Sequence, residues 1–200
     1  MPTNAAVVLA AGMSTRMGTL KQMLPFGKST VLGSVIDSLR AASVDRIIVV
    51  LGHEAEKIRQ SVSGSKAEFV VNEDYVLGMF SSVQAGVRTL TPDTETFLIC
   101  LGDQPGIRGG TIRTLLETFS KCGKGIGIPF ADEDQGHPLF VSGKYLNELQ
   151  LMAPTLTLKH FLSAHSTDTA RLPVQDPAIL RDIDTQADYE SELRRYNCDI

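Results

Sequence analysis

Short apolar runs, several of them continuous, recur along the chain at 5–9, 46–51, 68–71, 96–101, 126–130, 138–141 and 170–174, and between them lie stripes of helical period. An apolar run without alternation is what a strand looks like when both of its faces are covered, as in a mostly parallel sheet. The helical stripes are Val31, Leu32, Val35, Ile36 and Leu39, then Ala55, Ile58 and Val62, then Met79, Phe80, Val83, Val87 and Leu90, then Ile112, Leu115, Leu116 and Phe119. Thr111 stands where it could cap the fourth. Thr185-Gln186-Ala187-Asp188 reads as a capping box opening a last helix with Tyr189, Leu193 and Tyr196 on one face. Alternation of this kind predicts a three-layer α/β/α, Rossmann-like sandwich with a mostly parallel sheet, formed as one domain over residues 1–200. Ligands of such sheets bind beyond the carboxyl ends of the strands, so function is sought there.

Composition narrows the partners. The chain has 200 residues, 42% of them hydrophobic and 21% charged, enough to bury a substantial core. Its net charge of −4 argues against the nucleic-acid backbone as main partner. No apolar run approaches the ~20 residues that span a bilayer, and no secretory leader pattern opens the chain, so a cytoplasmic location is expected. The cysteines, Cys100, Cys122 and Cys198, form neither a metal spacing nor an even disulfide set. Cys100 falls in an apolar run and is expected to pack as a small apolar residue.

The first strand ends in Leu9-Ala10-Ala11-Gly12-Met13-Ser14-Thr15-Arg16-Met17-Gly18, and Lys21 follows. Small residues and glycines allow a tight turn whose N–H groups can approach phosphate oxygens. Arg16 offers a planar fork of donors and Lys21 a mobile point charge. No acidic residue occurs before Asp37, whereas Arg16, Lys21 and Lys28 lie in that stretch. A local positive field in an acidic chain suits a triphosphate. Two commoner phosphate motifs fail. Gly12 and Gly18 are too far apart for G-x-G-x-x-G, and Gly27-Lys28-Ser29-Thr30 lacks the P-loop's first glycine because position 22 is Gln22.

The segment Leu-Ala-Ala-Gly-x-Ser-x-Arg-Met-Gly-x-x-Lys resembles the signature of the MobA-like nucleotidyltransferases, in particular the molybdenum cofactor cytidylyltransferases. Lys21 to Gly27, Asn72-Glu73-Asp74-Tyr75 with Gly78, Ser81 and Ser82, Gly102-Asp103-Gln104-Pro105, Gly136-His137-Pro138 and Asp182-Ile183-Asp184-Thr185 resemble its later motifs. The resemblance implies a nucleotide-diphospho-sugar transferase-like fold and transfer of CMP from CTP to the phosphate of molybdenum-bound molybdopterin, with release of pyrophosphate. It implies nucleotide binding by Leu9, Ala10, Ala11, Gly12, Ser14, Arg16, Lys21, Asn72, Gly78, Ser81 and Ser82. Catalytic roles fall on Arg16, Lys21 and Asp103. His137 is the candidate for the pterin side, and a molybdoenzyme or its maturation chaperone is a candidate receiver of the product. Leu-Ala-Ala-Gly is similar to the cytidine users and Leu-Ala-Gly-Gly to the guanosine users, which makes Ala11 the position tied to base choice.

Asp103 follows an apolar strand and can face a bound triphosphate. There it would hold Mg²⁺, which favours one or two carboxylates together with phosphates and water. Within the resembled family the matching aspartate is a metal ligand, so Mg²⁺ at Asp103 is implied, with Asp184 as the second carboxylate. A turn aspartate at 103, a helix-dipole role for Asp184 and capping roles for Ser81 and Ser82 are the plainer alternatives. Asp182 is read as alternating in direction with Asp184 and so facing solvent or supporting the site from behind. The rival functions are the same chemistry with GTP or on another phosphorylated acceptor, and a non-catalytic nucleotide-binding chaperone.

Overall fold

Each apolar run forms a strand in the computed structural model, which describes residues 3–153 and 155–198. The order is β1 (Thr3–Ala10), a hairpin of β2 (Pro25–Phe26) and β3 (Ser29–Thr30), α1 (Val31–Ala41), β4 (Arg46–Leu51), α2 (Ala55–Ser61), β5 (Glu68–Val71), α3 (Met79–Val87), β6 (Thr94–Leu101), α4 (Gly109–Lys121), β7 (Ile126–Ala131), β8 (Asp134–Gln135), β9 (Leu139–Ser142), α5 (Leu146–Leu151), α6 (Leu158–Ala164), β10 (Thr169–Pro173) and α7 (Gln186–Cys198). The main sheet runs β10-β7-β9-β6-β1-β4-β5, with β8 on the edge of β7. β1 is parallel to β4 and β6, β4 to β5, and β10 to β7, while β9 is antiparallel to both of its neighbours.

Strand side chains alternate between faces, and the buried residues divide accordingly. Ala6 and Val8 of β1, Val49 and Leu51 of β4 and Leu98 and Cys100 of β6 join Leu32 and Leu39 of α1, Ile58 of α2 and Leu115 and Phe119 of α4 in one core layer. Ala5, Val7, Ile48, Val50, Phe97 and Ile99 face the other way, onto Phe80, Val83 and Val87 of α3, Leu149 of α5 and Phe161 of α6. These two apolar layers on one sheet make the three-layer α/β/α sandwich. At roughly 1.5–3 kcal/mol for each fully buried large side chain, the double coverage explains why the central runs are apolar without interruption.

A third, smaller cluster bears on function. Phe26, Val31 and Ile183 are buried against Tyr189, Leu193 and Tyr196, so α7 packs on the β2–β3 hairpin. The helix opens as its sequence predicts. The Thr185 amide and hydroxyl both donate to Asp188 Oδ2 at 2.7 Å, and the Asp188 amide donates back to Thr185 Oγ1 at 3.2 Å. The expected cap of α4 is corrected. The helix begins at Gly109, with Arg108 in the cap position, and the Thr111 hydroxyl donates to Asp176 Oδ2 at 2.6 Å instead. Among the described residues no helix is long and apolar enough to cross a membrane.

Candidate active site

The sheet order reverses around β1, since β4 and β5 extend to one side and β6 to the other. A crevice therefore opens at the carboxyl ends of β1 and β6, where the first loop and the acidic motif emerge side by side. The Gly102 amide donates to Leu9 O at 3.0 Å. A Cβ at position 102 would lie 2.9 Å from that oxygen, so only glycine lets the motif lie flat against the loop. Here a cavity of about 320 Å³ is lined by the first loop, the Tyr75–Met79 segment, Leu101 to Asp103 and Asp184.

The first loop is held from inside by Gln22, which is buried. Its Nε2 donates to Ala10 O at 3.4 Å and to Gly12 O at 3.3 Å, and its Oε1 accepts from the Ser14 hydroxyl at 3.2 Å. Ser14 has a positive φ of 52° and receives the Lys21 amide on Oγ at 3.3 Å. The left-handed turn thus falls on a serine and on Gly18 (φ 64°). Gly12 shows no positive φ, and a Cβ on it would meet nothing within 4 Å, so its smallness matters only for what approaches from the cavity.

Charge is concentrated at one point. Lys21 Nζ lies 2.6 Å from Asp103 Oδ2 and 3.0 Å from Asp184 Oδ1, and Arg16 Nη2 lies 2.8 Å from Asp184 Oδ2. Burial alone would lower the Lys21 pKa, but Asp103 and Asp184 outweigh it and raise the value. Burial raises the pKa of Asp103, with Lys21 opposing. Burial would also raise Asp184, yet the hydrogen bond and charge of Lys21, assisted by Arg16, hold it below the ordinary carboxylate value.

Asp182 faces solvent as expected, but it does not alternate in direction with Asp184. Residues two apart in an extended segment share a face. Ile183, fully buried between them, turns inward and donates its amide to Asp103 O at 3.0 Å. Asp182 is exposed, but Asp103, Asp182 and Asp184 each present a carboxylate oxygen within 4.8 Å of the others. The donor set is entirely hard oxygen, and Asp103 Oδ1 is buried without a hydrogen-bond partner. Such a set fits a hard divalent cation.

The other candidates divide. Leu9, Ala11, Gly12, Ser14, Arg16, Lys21, Gly78, Ser82, Asp103 and Asp184 line the cavity, together with Thr15, Gln22, Tyr75, Met79, Leu101 and Gly102, which the sequence reading did not single out as lining a site. Ala10 is buried in β1 and does not line it. Asn72 and Ser81 stand behind the wall. Asn72 Nδ2 donates to Ser81 Oγ at 2.8 Å and to Ser82 Oγ at 3.0 Å, and the Ser81 hydroxyl donates to Asp74 O and Gly78 O. The cap of α3 is Gly78 (φ 106°), with no side-chain cap bond, so neither serine is its N-cap. His137 lies beyond the cavity lining. Its amide donates to Ile179 O at 3.0 Å, and burial lowers its pKa despite the pull of Asp182. Tyr75 stands in the Asn72-Glu73-Asp74-Tyr75 motif, whose resemblance is the one signal that pointed to it. Gln22 carried no signal of its role, which is to satisfy backbone groups of a loop twelve residues away and nearer.

Comparison with known proteins gives concordant results. A family model described as a MobA-like NTP transferase domain matches residues 6–169. The molybdenum cofactor cytidylyltransferase of Escherichia coli K12 is 30% identical over 193 residues, 95% of either chain. A solved homologue of the Mycobacterium tuberculosis protein Rv0371c, from Mycobacterium sp. strain JC1, is 30% identical, covers 98% of each chain and superposes with a TM-score of 0.85. The manganese complex of Rv0371c from M. tuberculosis H37Rv is 28% identical, with 96% of this chain and 98% of that one covered and a TM-score of 0.80.

Proposed function

The chain belongs to the MobA-like NTP transferase family and is a nucleotidyltransferase, and from that premise we propose that it transfers CMP from CTP, with Mg²⁺, to the phosphate of molybdenum-bound molybdopterin. The observation that carries this reading is the 2.6 Å contact between Lys21 and Asp103 in the lining of one cavity. A cationic loop and an acidic strand end that reach one another can grip the same polyphosphate. The cytidylyltransferase relative and the alanine at position 11 support the choice of base and acceptor.

Arg16 and Lys21, with the amides of the Gly12–Arg16 turn, hold the triphosphate so that its α-phosphate faces the acceptor. Holding two reactants in line removes much of the entropic part of the barrier, and fixed cations stabilise the charge that builds up on the departing pyrophosphate. Asp103 and Asp184, with Asp182 beside them, would hold the divalent ion, which supplies further charge neutralisation at the phosphates; the manganese-bound relative supports a divalent ion here. The acceptor phosphate is already ionised, so no general base is required. His137, kept neutral by burial, is suited to hydrogen bonding on the acceptor side. The reading takes residues 1–200 as one catalytic unit acting in the cytoplasm.

The test is incubation with each of the four NTPs, Mg²⁺ and the pterin acceptor while pyrophosphate is followed. CTP should support release and the others much less, and Asp103→Ala should abolish it. Release without nucleotide selectivity, or undiminished in Asp103→Ala, would overturn the proposal.

A further inference from the structure

We propose that Lys21 is a resident competitor for the cation position between Asp103 and Asp184, so that a divalent ion binds weakly alone and tightly only together with a nucleotide whose phosphates take the ammonium over. The inference rests on the nucleotidyltransferase reading and concerns the order in which that site fills.

The geometry is one of mutual exclusion. Lys21 Nζ lies within 3.0 Å of one oxygen from each carboxylate, the place that an ion bridging the same two oxygens would need. Arg16 takes the remaining oxygen of Asp184. Two positive side chains therefore already balance Asp103 and Asp184, and Asp182 adds one further negative charge. A divalent ion arriving alone would face the ammonium of Lys21, where the side chains of Lys21 and Asp103 are only 13% and 18% exposed and like charges repel strongly. The Arg16 guanidinium, 69% exposed, is screened by solvent and opposes the ion much less. A triphosphate reverses the balance, because it brings more negative charge than Arg16 and Lys21 can neutralise.

The side chain is built for such an exchange. A lysine carries a compact charge on a flexible stem, whereas an arginine fork would be fixed in plane. The backbone at position 21 is anchored, with its amide on Ser14 Oγ at 3.3 Å and Gln22 buried next to it. The stem can swing from carboxylates to phosphates while the loop stays in place. Linkage then requires that nucleotide and metal raise each other's affinity by one common factor.

Mn²⁺ binding, read by electron paramagnetic resonance of the free ion and without turnover, tests this. The wild type should bind Mn²⁺ alone weakly, and at least about tenfold more tightly with a non-hydrolysable CTP analogue. Lys21→Met should bind Mn²⁺ alone at least about tenfold more tightly than the wild type and lose most of the gain from the analogue. Lys21→Gln, which keeps a hydrogen-bonding side chain without the charge, should do the same and serves where the methionine variant does not fold, as judged by circular dichroism. Arg16→Met, which leaves the ammonium in place, should change Mn²⁺ affinity less than threefold. Mn²⁺ affinity in both Lys21 variants equal to or below that of the wild type overturns the inference, and so does an Arg16→Met effect as large as theirs. A wild type that binds Mn²⁺ no more tightly with the CTP analogue than without it also overturns the inference, whereas failure to bind any NTP analogue, read by calorimetry, would remove the nucleotide-transfer reading on which it rests.

Discussion

Replacing Gln22 by methionine removes the clamp on the first loop while keeping side-chain volume and flexibility. Three hydrogen bonds are lost, to Ala10 O, Gly12 O and the Ser14 hydroxyl, all at 3.2–3.4 Å and so at the weak end of the range. Gly12 is exposed and Ser14 half-buried, so their groups can turn to water, whereas Ala10 is 2% exposed and its carbonyl would be stranded. A stranded buried acceptor costs about 1–3 kcal/mol and the other two losses little, so about 2 kcal/mol in all is expected. Spread over the whole molecule, this would lower Tm by about 4–8 °C. Confined to the loop, it would appear as weaker nucleotide binding, about 30-fold in Kd for 2 kcal/mol. Thermal melting with and without CTP and Mg²⁺ separates the two, because a ligand raises Tm by an amount that grows with the logarithm of its concentration over Kd. A variant whose Tm lies within 1 °C of wild type, and whose nucleotide affinity lies within twofold, would refute the assignment of Gln22 as the clamp.

Asp103→Asn should lower the rate of pyrophosphate release by about 10²–10³. It should also lower Tm, because the buried Lys21 ammonium keeps only Asp184 to balance it; an unchanged Tm would contradict the pairing. Gly102→Ala forces a Cβ to within 2.9 Å of Leu9 O, a backbone atom that cannot move aside cheaply, and should cost about 1–3 kcal/mol, read as a lower Tm. The Lys21 pKa is raised in the folded protein above the ordinary 10.5, so its contribution to stability is fully present below that pH and is lost as pH rises through the folded value. The Tm gap between wild type and Lys21→Met should therefore be steady near neutrality and close in strong alkali, and a gap that persists unchanged through that range would refute the pairing. Asp184 has the opposite sign. Its depressed pKa stabilises the fold above the ordinary carboxylate value, so the gap between wild type and Asp184→Asn should shrink as pH falls below about 3.9.

The alternation of buried strands and amphipathic helices was legible because each central strand must be apolar on both faces and each long helix on one stripe. Those patterns survive in one dimension. The β2–β3 hairpin and β8 were not legible, since strands of two residues carry no period. Nor were α5 and α6, of six and seven residues, the second capped by an unusual Thr157–His160 pair. By charge type and position after apolar strands, the sequence marked out Arg16, Lys21 and Asp103, and Asp184 only through the family resemblance. Only the tertiary structure decided that Lys21 and Asp184, 163 residues apart, meet at 3.0 Å. It also decided that burying Ile183 turns Asp182 toward the same cluster and that Gln22 reaches back to hold the loop. Residue type determines which charges a chain can offer, but which charges face one another depends on how α7 and the sheet pack, and no local pattern encodes that distance.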